Sequence, residues 1–163
     1  CNRGSSGYSG LGVNAAQWAI DTVEELRKHT DRPIKIRQHS SMSYAEHKPD
    51  FNRLKEFCER QKNVSLHSPL GEYPGLVNQI KKSYAVVIFT STAGGPAIVE
   101  GKPLFICNKH CYYLPMKAGE LSDIEKPNIS IDRQQFLNNL GYSHWRLPEL
   151  KDGEYWERVK NDV

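Results

Sequence analysis

Three short stretches of this chain carry residue types able to hold an anion. The first is Asn2–Gly12, NRGSSGYSGLG, where Arg3, Gly4, Ser5, Ser6 and Gly7 sit ahead of a helix. Glycines let backbone amides approach a phosphate closely, and the helix behind adds a partial positive charge. The spacing is neither GxGxxG nor the Gly-Lys-Ser/Thr loop, so an ordinary polar loop explains it equally well. The second stretch is Ser91-Thr92-Ala93-Gly94-Gly95, which follows an apolar run and opens a helix. Its hydroxyls and amides can either cap that helix or bind phosphate. Capping accounts for one hydroxyl; a pair followed by two glycines favours the phosphate. The third is Arg37-Gln38-His39 at a strand end. Arg37 would neutralise a leaving anion there, and His39 would donate a proton. A solvated strand end is the competing explanation.

Other ionisable residues are less informative. His67 closes another predicted strand and would reach the same cleft. Glu100, at the end of a short helix, faces an unfavourable dipole and so calls for a partner, which a ribose hydroxyl pair would supply; an ordinary surface Glu explains it equally well. Asp50, Glu72, Asp123 and Glu125 are scattered and form no acid–base pair. There is no Asp-x-Asp motif of the kind that holds a divalent cation in metal-dependent transferases, so no metal or cofactor is expected. Cys1, Cys58, Cys107 and Cys111 match neither a zinc pattern nor a disulfide framework.

The elements that would position these residues alternate. Asn14 followed by Gln17 reads as a capping box opening a helix that runs to about His29, with Ala16, Ile20 and Val23 on one face. Ile34–Arg37 is a strand, residues 50–61 an amphipathic helix, and Val64–Leu66 a second strand. Leu76, Val77 and Ile80 mark a short helix. Tyr84–Phe89 is the strongest strand, its continuous apolar run fitting a central parallel strand buried on both faces. A short helix to Glu100, stopped by Gly101, leads to the strand Pro103–Cys107. The fold class expected is α/β: a Rossmann-like parallel sheet flanked by helices, with a C-terminal helical tail. Residues 1–110 form the nucleotide-binding domain and 111–163 the extension, with helices at 132–140 and 152–159.

A net charge of +3 is too weak to select nucleic acid as a partner. No apolar run nears the roughly 20 residues of a membrane helix, so a cytoplasmic protein is expected. The Gly-rich turn has no strand ahead of it, which reads as an N-terminal domain removed or supplied by another chain. Tyr112, Tyr113, Trp145 and Trp156 are read as packing residues rather than base-stacking platforms.

The segments Ser91-Thr92-Ala93 and Glu100–Phe105, "EGKPLF", resemble the C-terminal donor-binding domain of glycosyltransferases with two facing Rossmann domains, the GT-B fold. The N-terminal loop, "DRPIKIRQH" and the tail "LSDIEKP … DRQQFLNNLGYSHW" are similar to a bacteriophage-encoded, DNA-modifying group of these enzymes. The resemblance covers nearly the whole chain. It implies donor contacts at Arg3, Gly4, Ser6 and Gly7, and phosphate or sugar contacts at Arg37, His39, Ser91, Thr92 and Ala93, with Gly94 beside them. It implies a nucleotide diphosphate sugar, UDP-glucose foremost, as donor and a hydroxymethylated pyrimidine in DNA as acceptor. Ser40, where relatives carry Pro, and Gly94-Gly95-Pro96, where they carry an alanine-rich helix start, depart from the pattern. A non-catalytic nucleotide- or partner-binding module and a sugar-nucleotide epimerase stay open as alternatives.

Overall fold

The computed structural model describes residues 12–38, 48–67, 75–143 and 147–160. The chain divides into two compact units, Cys1–Ile131 and Asp132–Val163. Unit 1 carries helix α1 (Ala15–Arg27), strand β1 (Ile34–Arg37), α2 (Lys48–Arg60), β2 (Val64–His67), α3 (Gly75–Lys82), β3 (Val86–Ile88), α4 (Gly94–Val99) and β4 (Leu104–Ile106). Two 3-10 turns follow, Leu114–Met116 and Leu121–Asp123.

The strands form two parallel ladders rather than one sheet. In the first, Ile34 pairs with Val64 and Arg37 with His67. In the second, Val86 pairs with Leu104 and Ile88 with Ile106. The alternating α/β reading therefore holds, while the single continuous sheet is not formed among the described residues. The Tyr84–Phe89 run is also shorter and less covered than its composition suggests. Only Val86–Ile88 is strand, it pairs on one side alone among the described residues, and Val86 and Val87 are half-buried.

Helix α1 ties the two ladders together. Asn14 caps it, its side-chain oxygen accepting from the Gln17 amide at 2.9 Å. Such a cap contributes about 1 kcal/mol. The expected reciprocal bond of a capping box is not made; the Gln17 side chain instead donates to Asp21 and accepts from Arg53. Ala16, Ala19, Ile20 and Val23 recur at helical spacing and pack with Leu54, Phe57 and Cys58 against the first ladder. One turn further on, Leu26 joins Phe105, Ala118 and Ile124 in a second cluster that receives both Ile34 of β1 and Val87 of β3. Helices α1 and α2 pack on each other, as do α3 and α4.

The border expected near residue 110 falls inside unit 1. The Ala118 amide donates to the Leu104 carbonyl at 2.8 Å, and Lys117 bridges to Leu104 in parallel fashion, so this segment lines the outer edge of β4. Helix α4 ends in a Schellman motif, with Gly101 at φ 68° and the Lys102 amide returning to Ala97 at 2.9 Å. Gly101 thus stops this helix as its position in the sequence suggests.

Unit 2 contains α5 (Arg133–Ser143), α6 (Leu147–Lys151) and α7 (Glu154–Val159), the middle one beyond the two helices expected. Asp132 caps α5 by accepting from the Gln135 amide at 2.9 Å. Gln134–Asn138 and Gln135–Asn139 pair at i,i+4 along its exposed face. Gly153, at φ 78°, separates α6 from α7.

Candidate functional site

Long-range contacts fix which strand ends lie together. Asn14, at the start of α1, donates to both carboxylate oxygens of Asp50 at 3.1 Å; Asp50 opens α2, the helix that follows β1. Trp18, one turn into α1, meets the Phe89 ring edge-on at 5.7 Å just past β3, and its side chain lies near Cys107 just past β4. The carboxyl ends of β1, β3 and β4, and of β2 through its ladder with β1, therefore share one edge of unit 1. The amino ends gather at the other edge. There Arg27 donates to the carbonyls of Thr30, Arg32, Lys62 and Asn63, and the Arg32 guanidinium stacks on Tyr84 at 3.8 Å.

Arg37 and His67 face each other in register at the carboxyl edge, both half-buried. Arg37 Nη1 donates to Gln79 Oε1 at 2.9 Å, so α3 holds the guanidinium in place. Gln38, next in line, is buried, and its amide donates to the His67 carbonyl at 3.1 Å. A fixed guanidinium beside an imidazole at the ends of parallel strands suits an anion. Sequence reasoning treated His67 as secondary; strand register makes it the immediate neighbour of Arg37.

Ser91–Gly95 lies at the same edge but is built differently from what its composition suggests. The Ser91 hydroxyl accepts from the Ala93 amide at 3.2 Å, the Ser91 carbonyl from Gly94 at 3.1 Å, and the Thr92 carbonyl from Gly95 at 3.2 Å. These amides are already hydrogen-bonded within the turn; Ser91 closes that turn, and the helix itself starts at Ala93 with no side-chain cap. The glycines have a packing reason as well. A Cβ on Gly94 would come within 2.5 Å of the Tyr113 ring, and one on Gly95 within 3.3 Å of its hydroxyl. Tyr113 thus lies across the start of α4, and burial pushes its hydroxyl above the ordinary tyrosine range. Thr92 is exposed.

The acidic candidates are engaged elsewhere. Glu100 closes α4, one helix length from the carboxyl edge, and pairs with Lys81 at 3.6 Å. That lysine meets the unfavourable dipole at this position. Glu125 accepts a two-pronged bond from Arg32, at 3.0 Å through Nε and 3.0 Å through Nη2, and another from the Thr30 hydroxyl. The Arg32 guanidinium, and secondarily Thr30, hold its carboxyl below the ordinary range. Asp123 accepts from the Glu120 amide at 2.8 Å. A shallow depression of about 670 Å³, lined by residues 27–32 and Glu125, lies at the amino edge. It is away from Arg37 and His67, and within it Arg32 pairs with Glu125 while Arg27 is held by backbone carbonyls.

Cys58, Cys107 and Cys111 are free thiols. Burial pushes the Cys107 thiol up, with the Trp18 contact working against that shift. A thiol so placed is a poor nucleophile near neutral pH. Among the described residues no three His, Cys, Asp or Glu side chains cluster as metal ligands, and no helix is long and apolar enough to cross a membrane. Arg3, Gly4, Ser5, Ser6, Gly7, His39 and Glu72 lie outside the described residues. The chain matches no family model, no curated protein and no solved structure.

Proposed function

We propose that the carboxyl edge of the two ladders receives the diphosphate of a nucleotide sugar, in the donor-binding half of a GT-B-like glycosyltransferase. The observation that supports this most is Arg37, oriented by Gln79 and set beside His67, at an edge shared by all four described strand ends. The order of connection supports it too. The chain runs from β1 to β2 through α2, then returns to β3 and continues to β4 through α4, and reversal of direction in a Rossmann-like sheet is where ligands bind.

In the reaction proposed, the acceptor hydroxyl oxygen bonds to the anomeric carbon of a hexose, with glucose the leading choice. The bond from that carbon to the diphosphate oxygen breaks, and the electron pair leaves with the diphosphate. Arg37 stabilises the charge that develops there. The acceptor's proton passes to a base outside the described residues, because Asp50 is committed to Asn14 and Glu125 to Arg32. A hydroxymethylated pyrimidine in DNA is the acceptor we favour, with an N-terminal domain or second chain presenting it. For the turn amides at Ser91–Gly95 to contact phosphate, Tyr113 must swing off Gly94.

Calorimetric titration with UDP-glucose tests the reading. Arg37→Ala should weaken binding about tenfold or more, as expected for loss of a charged hydrogen bond, while thermal unfolding changes little. Equal affinity in the two proteins rejects it. The internal hydrogen bonding of the Ser91 turn favours a second reading, a nucleotide-binding module without transfer chemistry. Binding of the free nucleotide as tight as that of the sugar nucleotide, with no glycosylation of hydroxymethylated DNA, would select it.

A further inference from the structure

The net charge of +3 is small, but it is not spread evenly. The amino edge of unit 1 gathers the last turns of α1, α2 and α3 and the short segments that open the four strands, all of them described. Part of the positive charge there serves the helix ends. Arg27 donates to the carbonyls of Thr30, Arg32, Lys62 and Asn63, and Arg60 donates to the Glu56 carbonyl at 3.1 Å. Lys28 pairs with Glu25 and Lys81 with Glu100. Lys62, Lys82, Lys102 and Lys126 are left over, pairing with no carboxylate among the described residues. Lys62, Lys82 and Lys126 are exposed and Lys102 is half-buried.

Dipole compensation explains Lys82, in the last turn of α3, but not the other three, which lie outside helices. Each of these is tied to the same edge. The Lys62 carbonyl holds Arg27, and Lys102 directly precedes Pro103, whose carbonyl accepts from the Val86 amide at 2.9 Å. Lys126 follows Glu125, which binds Arg32 and accepts through its carbonyl from the Tyr84 hydroxyl at 3.4 Å. Among the acids of these segments, Asp31 and Asp123 pair with no cation among the described residues, and Asp123 already accepts from the Glu120 amide.

We propose that this edge docks on the phosphodiester backbone of duplex nucleic acid. Lysine is a flexible point charge, suited to phosphates and not to reading bases. A protein partner would need a buried apolar or aromatic centre, and a membrane surface would need side chains to insert. The large apolar residues exposed at this edge, among those described, are Tyr84 and Val99. The Tyr84 ring is covered by Arg32, and a single exposed valine is ordinary. Binding here is therefore independent of base sequence and steeply dependent on salt. The edge lies opposite Arg37 and His67, so a bound duplex leaves the carboxyl edge open, and the inference stands whether or not a nucleotide sugar binds there.

The test is fluorescence anisotropy with labelled duplex DNA of random sequence over a range of salt concentrations. The comparison is between Lys62→Gln/Lys102→Gln/Lys126→Gln and a control of equal charge loss per site away from the edge, Lys35→Gln/Lys151→Gln. The edge variant should bind about tenfold or more weakly at low salt, with the slope of log affinity against log salt shallower by about 3. The control should fall far less, and the thermal midpoint and any affinity for UDP-glucose should be unchanged in both. Equal losses in the two variants overturn the proposal by reducing it to total charge. Undiminished binding by the edge variant overturns it as well, and loss through Arg37→Ala instead moves the nucleic acid to the carboxyl edge. Tighter binding to phosphatidylserine vesicles than to DNA at the same salt overturns it in favour of a membrane surface.

Discussion

In β4 every strand residue is buried, Phe105 to 0% exposure, whereas β1 and β2 each turn their second residue, Lys35 and Ser65, to solvent. The hydrogen-bond pattern of the two ladders is the same, so the difference comes from what surrounds them. The β3–β4 ladder has Leu26, Ala118 and Ile124 over Phe105, and Lys117 along its outer side. The β1–β2 ladder is covered by α1 and α2 and keeps polar residues, Arg37 and His67, at its ends. The β3–β4 strands hold the buried strand residues, Ile88, Leu104, Phe105 and Ile106. The β1–β2 strands are half-buried beneath the α1–α2 cluster and present the groups suited to chemistry at their ends.

Core truncation should separate the two ladders most clearly. Phe105→Ala should cost about 4 kcal/mol in urea unfolding, and Leu66→Ala roughly half of that, because Leu66 is only half-buried. Equal losses would erase the distinction. Next in size is Gly94→Ala, expected to destabilise by about 2 kcal/mol through overlap with the Tyr113 ring. Adding Tyr113→Ala should cost less than the sum of the single changes, and strict additivity would mean that the ring does not rest on Gly94. Asn14→Ala should remove about 1 kcal/mol, the value of a helix cap, with further loss through Asp50 at the carboxyl edge.

The smallest effect should be at the exposed Arg32–Glu125 pair, and its sign is fixed. Because the Glu125 carboxyl is held below its ordinary range in the folded chain, its contribution is present above the unfolded pKa. That contribution fades as pH falls through the lowered folded value. The stability difference between the native chain and Glu125→Gln should therefore be greater near about pH 7 than near about pH 3, by urea titration. A difference that grows on acidification would contradict the arrangement.

Much of unit 1 was legible from local pattern. Asn14, the stripe Ala16–Ile20–Val23 and Gly101 mark helix ends and faces, because caps and helical periodicity are set within a few residues. The strand Ile34–Arg37 agrees in its bounds for the same reason. The Ser91–Gly95 turn was harder to read. Its composition suits phosphate, and only the position of Tyr113, eighteen or nineteen residues further on, supplies another cause for the two glycines. Glu100 likewise signalled a need for a partner, but Lys81 could be identified only once α3 and α4 were packed together.

By itself, then, the sequence determined the alternation of helices and strands, the helix caps and the polar character of the strand ends. These depend on neighbours within a turn or two of chain. The tertiary structure alone decided that all four described strand ends share an edge, that His67 stands beside Arg37, and that Ile34 and Val87 meet one core cluster. Those are contacts between residues tens of positions apart, fixed by packing and strand register rather than by local preference.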